Sequence, residues 1–370
     1  MSTSLRAQVA VVRQAGGPFH VEQADVAAPR GDEVRVRMVA TGMCHTDLVA
    51  RDGFPVPLPI VLGHEGAGVV ESVGPQVKRV RPGDHVVLSF NSCGSCPSCA
   101  QQAPAHCYQF MPLNFGGLRA PDNSSPMTQE GRILHGYFFG QSSFASYAVA
   151  REINTVVVDR DLPLELLGPL GCGLQTGAGA VMNSIALRAG QSLAVFGAGA
   201  VGLAGVMAAK ALGASQIVVV EPNAGRRELA QRLGATLTID PKASADVLAE
   251  LRERSGGGVN HAFDTTGIPG VIAVAVETML PGGVLGLVGV SPMDAMLPAN
   301  IMSLISRGVT IKAILEGDAD PQTFIPQLLK LYREGRFPFD QLIGKFAFSQ
   351  INEAAKASED GSVIKPVLVF

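Results

Sequence analysis

The sequence lacks long apolar runs and concentrated charge. It contains no uninterrupted stretch of about eighteen apolar residues, and its first residues show no basic segment followed by a long apolar one. The net charge is −3, and the lysines and arginines are scattered rather than gathered into a cationic face. We therefore expect a soluble, cytoplasmic protein that binds neither a membrane nor a nucleic acid.

Charged residues of both signs are scarce, at 16% of the chain, while 47% of the residues are hydrophobic. This composition is typical of a packed globular protein rather than a disordered one. Because 370 residues exceed the usual size of one hydrophobic core, the length predicts two domains.

Only six cysteines are present, and four of them follow a C-x2-C-x2-C-x7-C pattern: Cys93, Cys96, Cys99 and Cys107. Cysteines at this spacing can wrap a tetrahedral zinc ion in a closed structural site, and cytoplasmic thiols stay reduced. Cys44 and Cys172 stand alone. Together with one histidine they would form a three-ligand site whose fourth position is open to water or substrate. The cysteines therefore predict a structural metal and a catalytic one.

Hydrophobic patterning differs between the two halves of the chain. The first half shows short strand candidates separated by turns, and 91–131 has the irregular composition of a loop organised by metal. After Gly190, apolar strands alternate with amphipathic helices, which predicts βαβ units and a parallel sheet of six strands. The predicted strands are 34–40, 67–73, 85–88, 192–196, 216–220, 236–239, 261–263 and 284–288, and the predicted helices are 200–212, 225–233 and 322–333. The tail after 314 is predicted to contain one helix and to return to the first domain.

A glycine-rich G-x-G-x-x-G motif, formed by Gly197, Gly199 and Gly202, follows one predicted strand and opens a helix. Glu221 ends the next strand. In this context the motif predicts a dinucleotide site, because small residues let the backbone approach the pyrophosphate and a carboxylate accepts from the ribose hydroxyls. Glu221 would repel a 2′-phosphate, so we expect NAD rather than NADP. Arg226 lies nearby and would moderate that repulsion, or simply lie on a solvated helix face.

His64 differs from the other histidines in its context, Gly63-His64-Glu65-Gly66, directly before a strand. The zinc motif at 63–68, the cysteine cluster and the glycine loop occur in an order that resembles the zinc-dependent alcohol dehydrogenases of the medium-chain family. The resemblance covers the whole chain. It implies an α/β fold in which a β-rich, GroES-like catalytic domain accompanies a Rossmann domain with a doubly wound parallel sheet. The implied domains are 1–173 with 316–370, including a structural zinc lobe at about 91–110, and 174–315.

The resemblance implies a catalytic zinc on Cys44, His64 and Cys172 and a second zinc in the cysteine lobe, hence two zinc ions per chain. It implies that Glu65 is a neighbouring or exchange ligand. It also implies that Asp47 orients His64 through its other ring nitrogen, although a helix N-cap is an alternative role for Asp47.

Thr46 matches the hydroxyl residue that bonds the alcohol oxygen and passes its proton onward. The relay histidine expected three residues later is Val49, which cannot carry a proton. Our hypothesis is that protons leave through the cofactor ribose to solvent or through water ordered by Arg51.

Five residues match cofactor contacts of the family. His45 matches a pyrophosphate contact and Lys365 a second basic contact. Thr176 and Val201 match residues beside the nicotinamide, and Val288 matches a carboxamide contact. For the two valines, core packing is an equally good interpretation.

The segments 138–145 and 168–177 resemble aryl-alcohol dehydrogenases, so we expect NAD-dependent oxidation of a primary aromatic alcohol such as benzyl alcohol to its aldehyde. Glutathione-dependent formaldehyde dehydrogenase and a general aliphatic alcohol dehydrogenase are the alternatives. The residues expected to line an apolar pocket are Phe90, Leu113, Phe115 and Leu315.

Two other classes fit the sequence poorly. A quinone reductase of this fold lacks the zinc ligands, and a zinc-ribbon binding module needs a basic or aromatic surface that the cysteine loop does not show. The family also leads us to expect a homodimer or homotetramer that pairs sheet edges near 285–298.

Overall fold

The structure is a computed structural model that describes residues 4–120 and 122–370. The chain forms two compact units. The first contains the described residues up to Cys172 together with Asp320–Pro326 and Asp340–Phe370, and the second contains Gly173–Ala319 and Gln327–Phe339. The sequence-based division assigned all of 316–370 to the first domain, whereas 316–319 and 327–339 group with the second unit. No helix in the described ranges is long and apolar enough to cross a bilayer.

The described residues contain eighteen strands. In chain order, β1 to β18 are Leu5–Val12, His20–Val26, Glu33–Gly42, Ile60–Val61, Glu65–Val73, His85–Leu88, Met127–Gln129, Arg132–Leu134, Tyr147–Arg151, Thr155–Val158, Ser192–Phe196, Gln216–Val220, Leu237–Ile239, Val259–Asp264, Met279–Leu287, Thr310–Ala313, Ile343–Ala347 and Lys365–Val369.

The same residues contain twelve α-helices. In chain order, α1 to α12 are His45–Asp52, Pro97–Ala100, Phe110–Phe115, Leu164–Leu167, Gly173–Gly179, Ala200–Ala211, Ala224–Leu233, Val247–Ser255, Pro269–Thr278, Ile301–Arg307, Pro321–Arg333 and Ile351–Glu359.

The first unit is built on two sheets, ordered β4-β1-β2-β7-β8 and β10-β6-β5-β3-β18-β17, with β9 added to β3. The β-branched sequence of β3 suits a strand, and eight of its ten residues are buried. β3 runs antiparallel to β5, with Gly42 opposite Glu65, and antiparallel to β18, with Gly42 opposite Val367. Three stretches that are far apart in sequence therefore meet at the end of β3.

The second unit contains one six-stranded sheet, ordered β13-β12-β11-β14-β15-β16, in which every pairing is parallel. All five residues of β11 are buried, as expected for a strand covered on both faces. This sheet confirms the prediction of a doubly wound Rossmann domain with six strands. The glycine motif follows the carboxyl end of β11, where such sheets bind ligands.

Two predictions of local structure were wrong. The tail contains a second helix, α12, which begins without a side-chain cap and so lacks a starting signal. The edge strands of the parallel sheet are β13 and β16, whereas the edge predicted near 285–298 overlaps the internal strand β15.

Candidate active site

Cys44, His64 and Cys172 come together at the end of β3 in the first unit. Cys44 lies between β3 and α1, and His64 directly precedes β5. Cys172 follows a 3-10 turn whose Gly168 packs so tightly that a Cβ there would lie 2.2 Å from the Glu65 carbonyl oxygen. The two sulfurs and the imidazole nitrogen all lie within 4.8 Å of one another. The structure therefore brings together the three residues predicted to bind the catalytic zinc.

The donor atoms suit a zinc ion. His64 is buried, and its Nδ1 lies 2.8 Å from Asp47 Oδ1. Because a carboxylate only accepts, Nδ1 carries a proton, and Nε2 is the ring nitrogen that remains to face a metal. Nε2 is buried and has no hydrogen-bond partner among the described residues. Two thiolates and one imidazole are ligands that zinc prefers, and they leave a fourth position open.

The surroundings of the cluster favour the thiolate form of Cys44 and the protonated form of His64, so a metal ion at Nε2 would displace a proton. A hydrogen bond with Cys172 lowers the pKa of the Cys44 thiol well below its usual value, and the charge of Lys365 lowers it further against the effect of burial. Burial alone lowers the pKa of His64, but the carboxylate of Asp47 and the sulfur of Cys44 raise it well above its usual value. The thiolate character of Cys44 is what a metal ligand requires.

Asp47 is fully buried and accepts three hydrogen bonds. Its Oδ2 accepts from the Cys44 backbone N–H at 3.0 Å, and its Oδ1 accepts from Gly63 N at 3.0 Å and from His64 Nδ1. The sequence left two roles open, a helix N-cap and an orienter of His64. The N-cap of α1 is Cys44 rather than Asp47, which lies at the third helical position, where one oxygen completes a capping box and the other contacts His64. Asp47 thus ties both metal-ligand segments to the start of α1.

Lys365 is buried rather than exposed. Its Nζ donates to the Glu65 carboxylate at 2.9 and 3.0 Å and to the Met43 carbonyl at 3.1 Å. Burial lowers the pKa of Lys365, but the negative charge of Glu65 more than reverses this and raises it. Lys365 therefore bonds Glu65 and Met43, whereas the sequence predicted a cofactor contact. Glu65 in turn has a cationic partner beside the candidate metal site.

The first turn of α1 presents the other predicted catalytic residues. The Thr46 hydroxyl is half-buried and lies 3.8 Å from the Cys44 sulfur, while His45 is exposed. Val49 is half-buried. The Arg51 guanidinium already bonds Asp52 at 2.6 and 2.8 Å and also Glu359, so the support for a water relay at Arg51 is weak.

The second sulfur cluster lies in the 91–110 lobe. The four sulfurs of Cys93, Cys96, Cys99 and Cys107 also lie within 4.8 Å of one another, and none of the six cysteines forms a disulfide. Backbone N–H groups point at these sulfurs, for example Cys96 N to Cys93 Sγ at 3.3 Å and Cys93 N to Cys107 Sγ at 3.2 Å. A hydrogen bond from the Ser95 backbone is the main reason that the pKa of Cys93 falls to about 6. This arrangement could hold a second, fully ligated metal.

In the second unit, each position of the G-x-G-x-x-G loop that is glycine suits glycine for a different steric reason. Gly197 has φ +93, a conformation that side chains rarely adopt. A Cβ on Gly202 would lie 2.0 Å from the Gly197 carbonyl oxygen, so the helix can pack this closely only with glycine. A Cβ on Gly199 would meet nothing within 4 Å, which leaves open space where a pyrophosphate would approach. The loop therefore fits a dinucleotide.

The acid at the end of β12 is buried against this loop. Glu221 Oε2 accepts from Ala198 N at 2.7 Å, and Oε1 accepts from Asn223 N at 2.9 Å. Each oxygen thus already holds one backbone N–H and keeps further lone pairs for a ribose hydroxyl. Arg226 is half-buried, and its Nε has no hydrogen-bond partner among the described residues.

The remaining predicted cofactor contacts are also in the second unit. Thr176 lies in α5, Val201 in the first turn of α6, and Val288 just after β15, and all three are half-buried. Their partial exposure is compatible with contact to a ligand. By contrast, valines inside the sheet such as Val218 and Val219 are fully buried.

Sequence reasoning missed the aromatic residues that surround His64. The Phe139 ring stacks on the imidazole at 4.4 Å between centroids, and Phe138 meets its edge at 5.7 Å. Both belong to a segment cited only for its resemblance to aryl-alcohol dehydrogenases. Of the predicted pocket residues, Phe115 joins this cluster. The other three are Phe90 and Leu113, which are buried in the first unit, and Leu315, which is 39% exposed in the second.

Comparison with known proteins identifies the family. Residues 30–160 match the alcohol dehydrogenase GroES-like domain, and residues 200–334 match the zinc-binding dehydrogenase domain. A geraniol dehydrogenase of Castellaniella defragrans is 56% identical over 366 residues, which cover 99% of this chain and 98% of that protein. The chain belongs to the zinc-dependent medium-chain alcohol dehydrogenase family. As an alcohol dehydrogenase, it acts on small-molecule alcohols and aldehydes.

Solved structures of this family agree in fold along the whole chain. A zinc-binding-domain alcohol dehydrogenase of Burkholderia ambifaria is 52% identical with a TM-score of 0.97, and coverage is 99% of both chains. A benzyl alcohol dehydrogenase of Acinetobacter calcoaceticus is 44% identical with a TM-score of 0.95, again over 99% of both chains. One relative is named for geraniol and one for benzyl alcohol, and only the second of these alcohols is aromatic. The relatives therefore agree on the family and differ in substrate.

Proposed function

We propose that this alcohol dehydrogenase uses zinc and NAD to oxidise hydrophobic primary alcohols whose carbinol carbon is bonded to an aromatic ring or to a carbon–carbon double bond. Both benzyl alcohol and geraniol, named for two relatives, have this chemistry. Hydride leaves such a carbon readily because the aldehyde product is conjugated. Aromatic alcohols such as benzyl alcohol remain the substrates that we expect from the sequence.

The observation that carries this proposal is a continuous path of aromatic rings in the first unit. It begins at His64, passes to Phe139 at 4.4 Å, then to Phe115 at 5.1 Å and to Phe54 at 5.0 Å. Burial decreases along the path, because Phe139 is buried whereas Phe115 and Phe54 are only half-buried. We name these three phenylalanines the aromatic path. It offers a flat, unsaturated substrate favourable ring contacts beside the proposed metal site.

Cys44, His64 and Cys172 would hold the catalytic zinc, and the four cysteines of the lobe would hold a second, structural zinc. When bound, the catalytic ion supplies Lewis acidity that lowers the pKa of an alcohol, and NAD accepts the hydride. The chain itself contributes the Thr46 hydroxyl as a proton acceptor beside Cys44 and the Asp47 carboxylate that orients His64.

The glycine loop would hold the NAD pyrophosphate, and Glu221 would accept from the adenosine ribose. The buried carboxylate supports NAD over NADP because a 2′-phosphate would meet a negative charge. His45, Thr176, Val201, Val288 and Arg226 remain proposed cofactor contacts.

The experiment compares benzyl alcohol, geraniol, ethanol and a glutathione hemithioacetal with NAD and with NADP, using wild type and Phe115→Ala. We expect the first two alcohols with NAD to give the highest kcat/KM. Phe115→Ala should lower kcat/KM for benzyl alcohol about tenfold, because ring contacts contribute roughly a kcal/mol, and leave ethanol unchanged. Phe370→Ala removes a 38% exposed ring stacked on Phe348 and is the matched control. A preference for the hemithioacetal would refute the assignment.

We also propose that a second copy of the chain covers an exposed apolar face of the second unit, giving a homodimer or a dimer of dimers. Its exposed side chains are Val290, Met293, Met296, Leu297, Ile301, Met302 and Ile305. So many exposed apolar side chains within 290–305 are unusual for a monomer, and the next strand in the chain, β16, is an edge strand of the sheet. Light scattering should show an oligomer that Ile301→Lys weakens and Ile133→Lys, at a 55% exposed site in the first unit, does not. A monomeric wild type would contradict this.

A further inference from the structure

The loop at 138–143 runs alongside the segment that carries His64. Its backbone donates from Ser143 N to the Gly63 carbonyl at 2.9 Å, and the Ser142 hydroxyl donates to the Val61 carbonyl at 2.6 Å. A Cβ on Gly63 would lie 2.4 Å from Phe144 N, so the contact leaves no room for a side chain. The loop is therefore docked tightly along the residues that precede His64.

Gln141 extends this contact to the residues on both sides of Glu65. It is fully buried, its Nε2 donates to the His64 carbonyl at 3.0 Å, and its Oε1 accepts from Gly66 N at 3.2 Å. The second Nε2 proton goes to the Ser89 carbonyl at 3.0 Å, just beyond β6. One amide thus fixes the backbone of His64 against a neighbouring strand.

The loop also fixes the His64 ring. Phe139 stacks on the imidazole with an angle of 25° between the planes. To present this ring, the loop places Phe139 at φ +51 and Ser142 at φ +48, conformations that are sparsely populated by residues other than glycine. Such strain persists where surrounding contacts compel it, and it concentrates at functional sites.

We infer that Gln141 is a positioning residue that holds His64 for metal binding, assisted by the stacked ring of Phe139. The inference rests on the proposed zinc site and names the residues that keep that site in shape. Asp47 restrains the Nδ1 side of the imidazole, Phe139 restrains its face, and Gln141 restrains its backbone. Only Nε2 is left without a protein partner among the described residues.

The test uses Co(II) in place of zinc in the full-length protein. Co(II) is titrated in, and the visible absorption band of the site formed by Cys44, His64 and Cys172 is followed. Gln141→Met keeps the length of the side chain and removes its hydrogen bonds. Asn114→Leu is the matched control, because Asn114 is an equally buried amide whose three hydrogen bonds go to the backbone of Asn91 and Phe110 and not to the segment 61–66. Both variants should lower Tm.

Only Gln141→Met should weaken Co(II) binding, by about 10- to 100-fold, and shift the absorption band. Equal affinity and an unchanged band in Gln141→Met would overturn the inference. If that variant does not fold, Phe139→Leu carries the same test, with the same expected and contrary results. Cys172→Ser in the otherwise native chain must abolish the band. A band that survives this change would refute the zinc site, and with it the role of Gln141.

Discussion

The four sulfurs of the cysteine lobe come from one short stretch, whereas Cys44, His64 and Cys172 come from three distant parts of the chain. The lobe is partly exposed, and its sulfurs are met by backbone N–H groups of the same stretch. The other cluster is buried and depends on side chains, chiefly Asp47 and Lys365. A local site needs only the right spacing, while a site assembled at long range needs buried polar groups to hold its segments together.

This difference leads us to expect that side-chain substitutions around the buried site have large effects and that those around the lobe have small ones. The largest effect should come from Lys365→Met, which leaves the Glu65 carboxylate buried without its cation. We expect the free energy of unfolding to fall by about 3–5 kcal/mol, measured by urea denaturation.

Lys345→Met is the control for this change, because Lys345 pairs with Glu165 at 3.3 Å on the surface. That pair should contribute at most about 1 kcal/mol. An unchanged free energy of unfolding for Lys365→Met, together with a raised KM for NAD, would instead support Lys365 as the cofactor contact predicted from the sequence.

Asp47→Asn should have the next largest effect. An amide cannot accept from Cys44 N, Gly63 N and His64 Nδ1 at once, so His64 loses its fixed orientation. Outer partners of this kind typically contribute ten- to hundredfold in metal affinity. Zinc analysis after a chelator challenge should therefore show loss of the buried site's ion and retention in the lobe. Asp25→Asn, at an exposed partner of Arg6, should match wild type. Equal loss of zinc from both sites would contradict the expectation that Asp47 supports the buried site alone.

The sequence predicted the elements whose signal is local. The strands at 192–196 and 216–220 have the predicted bounds, because their apolar, β-branched runs are flanked by turn residues. The cysteine lobe was likewise predicted from its spacing, whereas the set of Cys44, His64 and Cys172 followed from the family resemblance, and the structure brings each of them together. Helix α12 was missed because it starts without a capping side chain.

The support of the buried site could not be predicted in the same way. Gln141 lies in a segment of glycine and serine that resembles an ordinary turn, and its role depends on contacts with residues far away in sequence. Lys365 is near the end of the chain, where lysines are usually exposed, and only the pairing of β18 with β3 buries it. Register between distant strands is a tertiary property that one sequence does not display.

The smallest effect should come from Ser95→Ala. Ser142→Ala makes the same change at a buried serine and gives the closest comparison. Ser95 is exposed, and its backbone N–H, which donates to Cys93 Sγ at 3.5 Å, survives in Ser95→Ala. We expect stability within about 0.5 kcal/mol of wild type and unchanged zinc retention in the lobe. Ser142→Ala removes a buried hydroxyl that bonds Val61 and Phe138, so it should lower the free energy of unfolding by about 1–3 kcal/mol. If Ser95→Ala released zinc from the lobe, the lobe would depend on side chains after all, because this substitution leaves its backbone hydrogen bonds in place.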